Sequence, residues 1–469
     1  MDEASARGVG LVRPPGLRLL VTGAFVTFQS AVSWEREFLS SRRLLVQLFL
    51  QAGGILRAHY VWRHVQSVAE FLDVATARAE FALPGTPDFH PVSRPVILQH
   101  LHLDVAIDPD AGSVTGCCTM LCVGNAESSS AIRFDASDLE ISEVRIDGSA
   151  DPIAHRYDGR YLDVPLSEPL PFGGMINVAV TYRVIRPALG LYFVGPTAGS
   201  PDTPVQVWSQ NQDDDARYWM PCMDDPGMKM TTSVRATVPI SLTAISNGVP
   251  GTDGPQPVGK AGWHAFLWQQ TTPHPIYLFT LLVGPFEEHI DAGDSPELRW
   301  YTLPKHAEAS ERAFKNTRKM LNFFSEFTSR PYAWPRYGQV AVDDFVFGGM
   351  ENTTLTTVTT RVLPDERASL DFSADSLVAH ELAHQWFGDL VTCREWSHAW
   401  LNEGFATYFD ALYQEHDLGR DEFHYQLLEL ARGYFAEDSG RYSRAIITRQ
   451  FAEPIDVFDR HLYYKGAWV

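Results

Sequence analysis

The sequence predicts an α+β protein of several domains, in which an antiparallel β domain, a saddle or a sandwich, precedes a mainly helical domain. Three observations lead to this prediction. The chain has 469 residues, more than one hydrophobic core usually serves. Short apolar runs separated by turn residues recur over residues 81–286. From Ala307 onward, apolar residues recur at helical spacing instead.

The β region is clearest between Leu101 and Ile107, where every second residue is apolar. This period of two is typical of a strand that buries one face. Residues 109–112 (PDAG) follow as a turn. Similar runs are expected to form the other strands of the domain. They cover residues 114–123, 143–146, 176–182, 233–238, 263–269 and 276–283.

The region after the β domain begins with a predicted helix over residues 308–327, in which Phe314, Met320 and Phe324 lie near helical spacing. A short strand is predicted over residues 339–342. We therefore place a domain boundary near residue 287.

The composition limits the class of protein. A hydrophobic content of 45% with 20% charged residues excludes a disordered chain. A formal net charge of −20 argues against nucleic-acid partners, because an acidic surface repels phosphates. The five cysteines form no CxxC pair and are predicted to be mostly buried thiols, which fits a reducing compartment.

Residues 1–80 are predicted to be a helical or poorly ordered N-terminal extension. The apolar segment at residues 19–28 is only a weak match to a signal peptide, and a targeting segment is the alternative interpretation. No apolar run reaches the ~18 residues of a membrane helix. A cytoplasmic location without a membrane span is therefore the default expectation.

His380, Glu381 and His384 form an HExxH motif. Residues four apart on a helix project from the same face, so both imidazoles can reach one zinc ion. Glu381 can then contact a water molecule instead of the metal. The expected helix starts with Asp375 or Ser376 as its N-cap and runs to residue 387, before a glycine. Two ordinary histidines on a surface helix are the alternative.

A catalytic zinc needs a third protein ligand. The metzincin spacing fails, because Phe387 and Leu390 stand where that class requires glycine and histidine. A second predicted helix begins at Trp400, and its Glu403 is the natural third ligand. Asp410, two turns later, could orient a ligand imidazole or could simply be a solvated charge.

The segment Gly348–Asn352 reads GGMEN. Two glycines let the backbone pass close to a ligand, and the carboxylate of Glu351 can bind a free α-ammonium group. An edge strand with a glycine bulge is the alternative explanation of the same residues.

Together these motifs resemble the aminopeptidase N family of zinc metallopeptidases, which includes leukotriene-A hydrolase. The family's fold implies a thermolysin-like, mainly helical catalytic domain over residues 287–469, incomplete at its C-terminal end, after a β domain over residues 81–286. The matching segments are residues 209–226, 348–352, 380–389 (HELAHQWFGD), 400–408 (WLNEGFATY) and 463–466 (YYKG).

The resemblance implies roles for the residues of the site. His380, His384 and Glu403 match the family's ligands of a single Zn²⁺, and Glu381 matches its general base. Tyr463 matches the hydroxyl that stabilises the tetrahedral intermediate.

The resemblance also implies a substrate site. Glu351 matches the anchor of the substrate's free amino terminus, and Gln212 stands where the family has Gln or Glu beside that amine. The remaining residues of the GGMEN segment are expected to line the peptide groove. They are Gly348, Gly349, Met350 and Asn352.

The expected function is a zinc-dependent aminopeptidase that removes the N-terminal residue of peptides with a free N-terminus. Family members continue beyond the YYKG element, whereas this chain stops at Val469. A catalytically inactive or weakly active fragment is therefore one alternative. A leukotriene-type epoxide hydrolase is another, and endopeptidase activity is a third that Glu351 disfavours. The preferred residue at the cleaved position and the oligomeric state stay open.

Overall fold

The computed structural model describes residues 20–22, 25–27, 79–91, 93–291, 293 and 295–469. The chain divides into two units, Met1–Asp73 and Val74–Val469. In the first unit, strands β1 (Leu20–Thr22) and β2 (Phe25–Thr27) pair antiparallel, within the segment that weakly matches a signal peptide. The rest of the predicted extension, up to residue 78, lies outside the described residues.

Strands dominate the first part of the second unit. In chain order they are β3 (Ala79–Glu80), β4 (Val96–Asp108), β5 (Ser113–Gly124), β6 (Ser128–Asp135), β7 (Glu140–Ile146), β8 (Arg156–Tyr157), β9 (Tyr161–Pro171), β10 (Met175–Ile185), β11 (Gly190–Val194), β12 (Gln206–Gln210), β13 (Lys229–Pro239), β14 (Thr243–Ser246), β15 (Val249–Pro250), β16 (Gln256–Pro257), β17 (Trp263–Pro275) and β18 (Leu281–Gly284).

The largest sheet has eight strands in the order β15-β17-β13-β4-β5-β10-β7, with β16 also paired to β17. Its pairs are antiparallel except for β4 with β13, which is parallel. Smaller sheets have the orders β6-β9-β8 and β11-β12-β18-β14. The predicted β domain is confirmed. The parallel pair was not predicted, because a period of two is the same in both kinds of pairing.

Strand β4 shows why the alternation is informative. Leu101, Leu103, Val105 and Ile107 are almost fully buried, while Asp104 between them is exposed. The buried set packs into one large core that continues into the part of the unit after residue 287. The five cysteines are free thiols, and all but one are buried, as predicted.

The prediction of one strand over residues 276–283 is wrong. Ile276–Leu278 form a 3₁₀ turn, and β18 begins only at Leu281. The side chain of Asn247 bonds this turn, donating to Leu278 O at 3.0 Å and accepting from Thr280 N at 2.7 Å. A continuous apolar run indicates burial, but it does not reveal which groups satisfy the backbone.

The second part of the unit mixes strands and helices, and its main sheet has the order β19-β20-β21-β23-β22. The strand predicted at residues 339–342 lies within β21. The elements in chain order are β19 (Glu287–Asp291), β20 (Glu297–Thr302), α1 (Ala307–Phe314), α2 (Thr317–Phe327), β21 (Arg336–Val342), β22 (Gly349–Met350), β23 (Leu355–Thr359), α3 (Asp375–Ala383), α4 (Trp400–Leu418), α5 (Arg420–Gly440), β24 (Tyr442–Ser443) and α6 (Gly466–Trp468).

Two helix predictions need correction. The single helix over residues 308–327 is two helices, broken at Asn316, whose side chain donates to Asp375 Oδ2 at 2.9 Å. Asparagine favours helix ends because its amide competes with the backbone. The HExxH helix α3 starts at Asp375, with Ala374 as the N-cap, and ends at Ala383.

Helices α2, α3 and α4 share a second core, which includes Met320, Phe324, Val378, Leu382 and Phe409. All five are less than a tenth exposed. This packing holds α3 against α4, and so brings the two motifs of the predicted metal site together. Over the described residues, we find no helix with the length and apolar character needed to cross a membrane.

Candidate metal centre

The three predicted metal ligands converge between α3 and α4. His380 Nε2 and His384 Nε2 are 3.1 Å apart, and His384 Nε2 lies 3.1 Å from Glu403 Oε2. His380 Nε2 is 3.4 Å from the same oxygen. Helical spacing supplies the first contact, and the packing of the two helices supplies the others.

The end of α3 fixes the orientation of His384. The chain folds back after Ala383, so that the carbonyl of Phe387 lies 2.9 Å from His384 Nδ1. This carbonyl accepts a hydrogen bond from Nδ1–H, so in the neutral imidazole the lone pair is on Nε2, which faces Glu403. The early end of the helix therefore has a chemical consequence: it selects the tautomer that can bind a metal.

The donor atoms fit a zinc ion. Two histidines and one glutamate are a known ligand set for catalytic zinc, with bonds of about 2.0–2.2 Å. Ligands at that distance in a tetrahedral arrangement lie about 3.3–3.6 Å from one another. The observed separations of 3.1–3.4 Å are close to this range. His384 and Glu403 are buried, and the His380 side chain is 18% exposed.

The electrostatics of the site favour positive charge. Burial opposes charge on His384, yet Glu351 and Glu403 raise the pKa of its imidazole well above the ordinary value. Burial would also raise the pKa of Glu403, but His384 and the bond to His380 hold it far below its usual range. A bound metal ion supplies the same positive charge and keeps the imidazoles neutral.

Glu381 points at the glycine segment, as an HExxH glutamate that does not bind the metal should. A Cβ placed on Gly349 would lie 2.2 Å from Glu381 Oε1. No side chain fits there, so the second glycine of the segment is required by the position of Glu381. Burial raises the pKa of Glu381 well above its ordinary value, and its Oε2 has no hydrogen-bond partner in the described part of the chain.

Glu351 is also buried, at 3% exposure, with no partner for its Oε1 among the described residues. Burial raises its pKa to about 7. Leaving a carboxylate oxygen unpaired in the interior is costly. Two such oxygens, on Glu351 and Glu381, beside the same histidine indicate a place where a polar ligand binds.

Tyr463 reaches the metal centre from the C-terminal part of the chain. It lies in a π-helical turn, His461–Lys465, and its ring stacks on His380 with centroids 6.3 Å apart. Burial raises the pKa of the hydroxyl well above 10, and Glu403, Glu351 and Glu381 raise it further.

Two glycines allow this approach. A Cβ on Gly404 would lie 2.7 Å from the carbonyl carbon of Gly466, so α4 and the end of the π turn touch backbone to backbone. Tyr464 points elsewhere, against Gly433 on α5. The structure thus places Tyr463, the first tyrosine of the YYKG element, at the centre.

Of the other predicted substrate residues, Met350 and Asn352 flank Glu351 in the chain, whereas Gln212 comes from the β region. Met350 is buried beside Gln210 Nε2, at 3.2 Å from its sulfur. Asn352 is fully buried and accepts a hydrogen bond from Thr357. Gln212 lies two residues beyond the end of β12, and no hydrogen bond between described residues joins it to Glu351. Its role stays a prediction.

Asp410 bonds two residues other than the ligands. Its carboxylate accepts from Ser376 Oγ at 2.6 Å and from Gln414 Nε2 at 3.2 Å. Ser376 lies one turn before His380 on α3, so Asp410 joins the two helices. The role of Asp410 in orienting a ligand imidazole stays a prediction.

Sequence reasoning missed Gln385, which is buried next to His384. Its Nε2 donates to the carbonyl of Glu351 at 3.1 Å. Its Oε1 accepts from Thr354 N at 3.0 Å and from the Tyr332 hydroxyl at 3.2 Å. One amide thus fastens the glycine segment to the turn that follows the HExxH helix. The signal in the sequence is a polar residue directly after the second histidine of a buried helix.

Tyr277 is a second residue that the sequence did not reveal. Its hydroxyl accepts from Asn402 Nδ2 at 3.1 Å and donates to the carbonyl of Gly388 at 3.3 Å. Asn402 precedes Glu403, and Gly388 follows the HExxH motif. The 3₁₀ turn of the β region therefore ties together the segments that carry the ligands.

Comparison with protein families gives two matches. Residues 98–278 match the peptidase M1 N-terminal domain, and residues 312–469 match the peptidase family M1 domain. The chain belongs to peptidase family M1. The resemblance inferred from the motifs is confirmed, and the second match contains the HExxH motif, Glu403 and Tyr463. The predicted boundary near residue 287 falls between the matches and stays a prediction.

Individual members of family M1 are similar over much of the chain. Leucine aminopeptidase 2 of Coccidioides immitis (strain RS) is 27% identical over 354 residues, 73% of this chain and 55% of that protein. Leukotriene A-4 hydrolase of Xenopus laevis is 28% identical over 319 residues, 67% and 51% of the two. The chain thus spans about half the length of the curated relatives it matches.

Among solved structures, the crystal structure of a mutant M1 zinc metallopeptidase from Deinococcus radiodurans is similar to this chain. It has a TM-score of 0.65 and 25% sequence identity, with 83% of each chain covered. The predicted order of a β domain and a mainly helical domain is therefore the M1 fold.

We predict that Gln385→Leu lowers the free energy of unfolding by more than about 2 kcal/mol. The substitution leaves Thr354 N and Glu351 O buried without partners, and each such group costs about 1–3 kcal/mol. Equilibrium denaturation measures the change. Gln450→Leu, at an exposed position, is the control and should cost little. Equal losses for the two variants would contradict the role of Gln385.

Proposed function

We propose that this M1 chain is a zinc-dependent aminopeptidase that hydrolyses the N-terminal residue of peptides. One observation carries the proposal. The atoms of His380, His384 and Glu403 converge, and the unpartnered carboxylate oxygens of Glu381 and Glu351 lie beside them. The first group suits a metal ion, and the second suits a water molecule and an ammonium group.

His380, His384 and Glu403 would hold the zinc ion. When bound there, zinc supplies Lewis acidity, which polarises a carbonyl group and lowers the pKa of water to about 7. Glu381 takes the proton of the attacking water as general base. It then gives a proton to the departing amine, so that one carboxylate serves both halves of the reaction.

The Tyr463 hydroxyl donates a hydrogen bond to the oxyanion that forms at the scissile carbonyl. Its raised pKa keeps the hydroxyl protonated, as a donor must be. Removing one such donor typically lowers kcat about 100- to 1,000-fold. The contact between Gly404 and Gly466 supports this role, because it lets the turn lie against α4.

Glu351 makes the enzyme an exopeptidase. A free α-ammonium group pairs with its carboxylate, whereas an internal peptide bond brings no charge and leaves the buried oxygen unpaired. We assign Gln212 to the same amine, and Gly348, Gly349, Met350 and Asn352 to the walls of the groove. We also propose the division into a β domain, residues 81–286, and a catalytic domain, residues 287–469.

Two alternatives use the same residues. The name of the Xenopus relative suggests an epoxide hydrolase, and nothing else favours that reaction here. The other alternative is a chain that binds zinc but hydrolyses peptides slowly or not at all, because it spans only about half the length of the relatives it matches. The zinc and activity measurements below separate the aminopeptidase from the inactive chain.

We predict one zinc ion per chain, removable with loss of activity. Elemental analysis of the purified chain measures the metal, and hydrolysis of leucine p-nitroanilide is followed before chelation, after it and after zinc is restored. His384→Ala should lose the ion, whereas His424→Ala, at an exposed position on α5, should keep it. A folded sample without stoichiometric metal would refute the proposal. Zinc without turnover would favour the inactive alternative.

We predict that Glu381→Gln keeps zinc but lowers kcat about 100- to 10,000-fold, the range for loss of a general acid–base group. The amide has the same shape but cannot take a proton. The control, Glu366→Gln, changes an exposed carboxylate and should leave kcat unchanged. If Glu381→Gln retains full turnover, another group is the base.

We predict that Glu351→Ala raises KM and lowers kcat/KM about 10- to 100-fold for substrates with a free amine, since a charged hydrogen bond is worth about 1.5–3 kcal/mol. An N-acetylated version of the same substrate supplies the control. The acetylated substrate should be a poor substrate for the unmodified chain and for the Glu351→Ala variant alike. Efficient cleavage of the acetylated substrate by the unmodified chain would contradict the anchor.

A further inference from the structure

His461 begins the π turn that carries Tyr463, and it is fully buried. Aromatic rings enclose its imidazole on two sides. Tyr442 stacks on it with centroids 5.6 Å apart, and Tyr434 meets it edge-on at 5.3 Å. A buried histidine so close to a proposed catalytic tyrosine requires an explanation, since the reaction itself does not use it.

The turn is bonded to Asp459. Asp459 Oδ1 accepts from His461 N at 2.9 Å and from Leu462 N at 3.0 Å, as in a helix cap. The same carboxylate is held by Arg444, whose Nη2 and Nε lie 2.6 and 2.8 Å from its two oxygens. The Tyr442 hydroxyl donates to Oδ2 at 3.0 Å. Arg444 also donates to the carbonyl of Val457.

The His461 ring connects this turn to the end of α5. Its Nε2 lies 3.2 Å from Asp438 Oδ1, and its Nδ1 lies 3.7 Å from Glu437 Oε1 and 3.5 Å from Asp459 Oδ2. Three carboxylates from two segments thus surround one imidazole. We call His461, Glu437, Asp438, Asp459 and Arg444 the polar cluster.

Charge explains how the polar cluster is stable. Burial would lower the pKa of His461, but Asp459 and Glu437 outweigh it and raise the pKa to about 9. The pKa of Asp459 is held at about 2 by His461 and Arg444, against the effect of burial. At neutral pH the ring is therefore an imidazolium that bridges the carboxylates.

A metal ion in place of this proton is the competing explanation, because Glu437, Asp459 and His461 offer donor atoms within reach of one ion. Arg444 argues against it. The guanidinium already bonds both oxygens of Asp459, which also accept from the Tyr442 hydroxyl and from two backbone amides, so few lone pairs remain there for a metal ion. The polar cluster is thus held together by ion pairs and hydrogen bonds, with His461 Nδ1 in ion-pair contact only, at 3.5–3.7 Å from its carboxylates.

We propose that His461 is a positioning residue for Tyr463: by bridging Asp459 to the end of α5, it holds the π turn in the orientation that places Tyr463 over His380. Tyr463 N also bonds Asp459 O at 3.2 Å, so the tyrosine and the histidine depend on the same residue. The catalytic consequence rests on the proposed function, whereas the placement of the tyrosine ring does not.

A double-mutant cycle tests the catalytic consequence. His461→Gln should lower kcat about 10- to 100-fold, with KM within about twofold and zinc retained, because oxyanion contacts act in the transition state. In a Tyr463→Phe background the same substitution should cause no further loss, because the residue acts only through that hydroxyl. Losses that multiply, or an unchanged kcat in His461→Gln, would overturn the proposal.

Controls separate positioning from folding. His424→Gln, on the exposed side of α5, should leave kcat unchanged. If His461→Gln does not fold, Tyr442→Phe replaces it, since it keeps the ring and removes one bond to Asp459. It should show a smaller loss of kcat that also vanishes in the Tyr463→Phe background. Elemental analysis that finds a second metal ion, lost in His461→Gln, would overturn the proposal.

The placement itself is tested without catalysis. Fluorotyrosine at position 463 gives a ¹⁹F resonance that reports the surroundings of the ring. We expect this resonance to shift or broaden in His461→Gln and to stay in place in His424→Gln. An unchanged resonance in His461→Gln would overturn the proposal. If the unmodified chain cleaves no peptide, the proposed function fails while this measurement still decides the role of His461.

Discussion

The structure of the site depends on one electrostatic constraint: three buried carboxylates, Glu351, Glu381 and Glu403, lie around His380 and His384. Such a group is unstable in a protein interior unless positive charge joins it. Protons on histidine supply part of that charge, and a metal ion supplies it without a change of geometry. The fold therefore holds together a set of groups that a bound cation would stabilise.

The fold meets this constraint through contacts in which at least one partner is the backbone. Gly349 lets Glu381 lie against the strand, and Gly404 lets Gly466 touch α4. Gln385 bonds the backbone on either side of Asn352. Such contacts leave little freedom, because a backbone bonded at both its donor and its acceptor cannot shift alone. The backbone of the site is thus held by contacts between segments that are distant in the chain.

Local spacing in the sequence predicted many residues of the site, but it did not predict the residues that hold them in place. The interval between His380 and His384 is that of one helical turn, so their common face is a property of the helix itself. Gln385 and Tyr277 are different, because their partners lie 31 or more residues away in the chain. The helical pattern also did not predict the break at Asn316, where the side chain bonds Asp375, 59 residues away in the chain.

The sequence by itself determined the family, the order of the β and helical regions and the residues proposed to bind the metal. These depend on residue type and on intervals between residues along the chain. Only the tertiary structure decided that Tyr464 packs against α5, and that His461 is enclosed by carboxylates. Both outcomes depend on how separate segments pack, and the distances between segments are set by the whole core, not by any local interval.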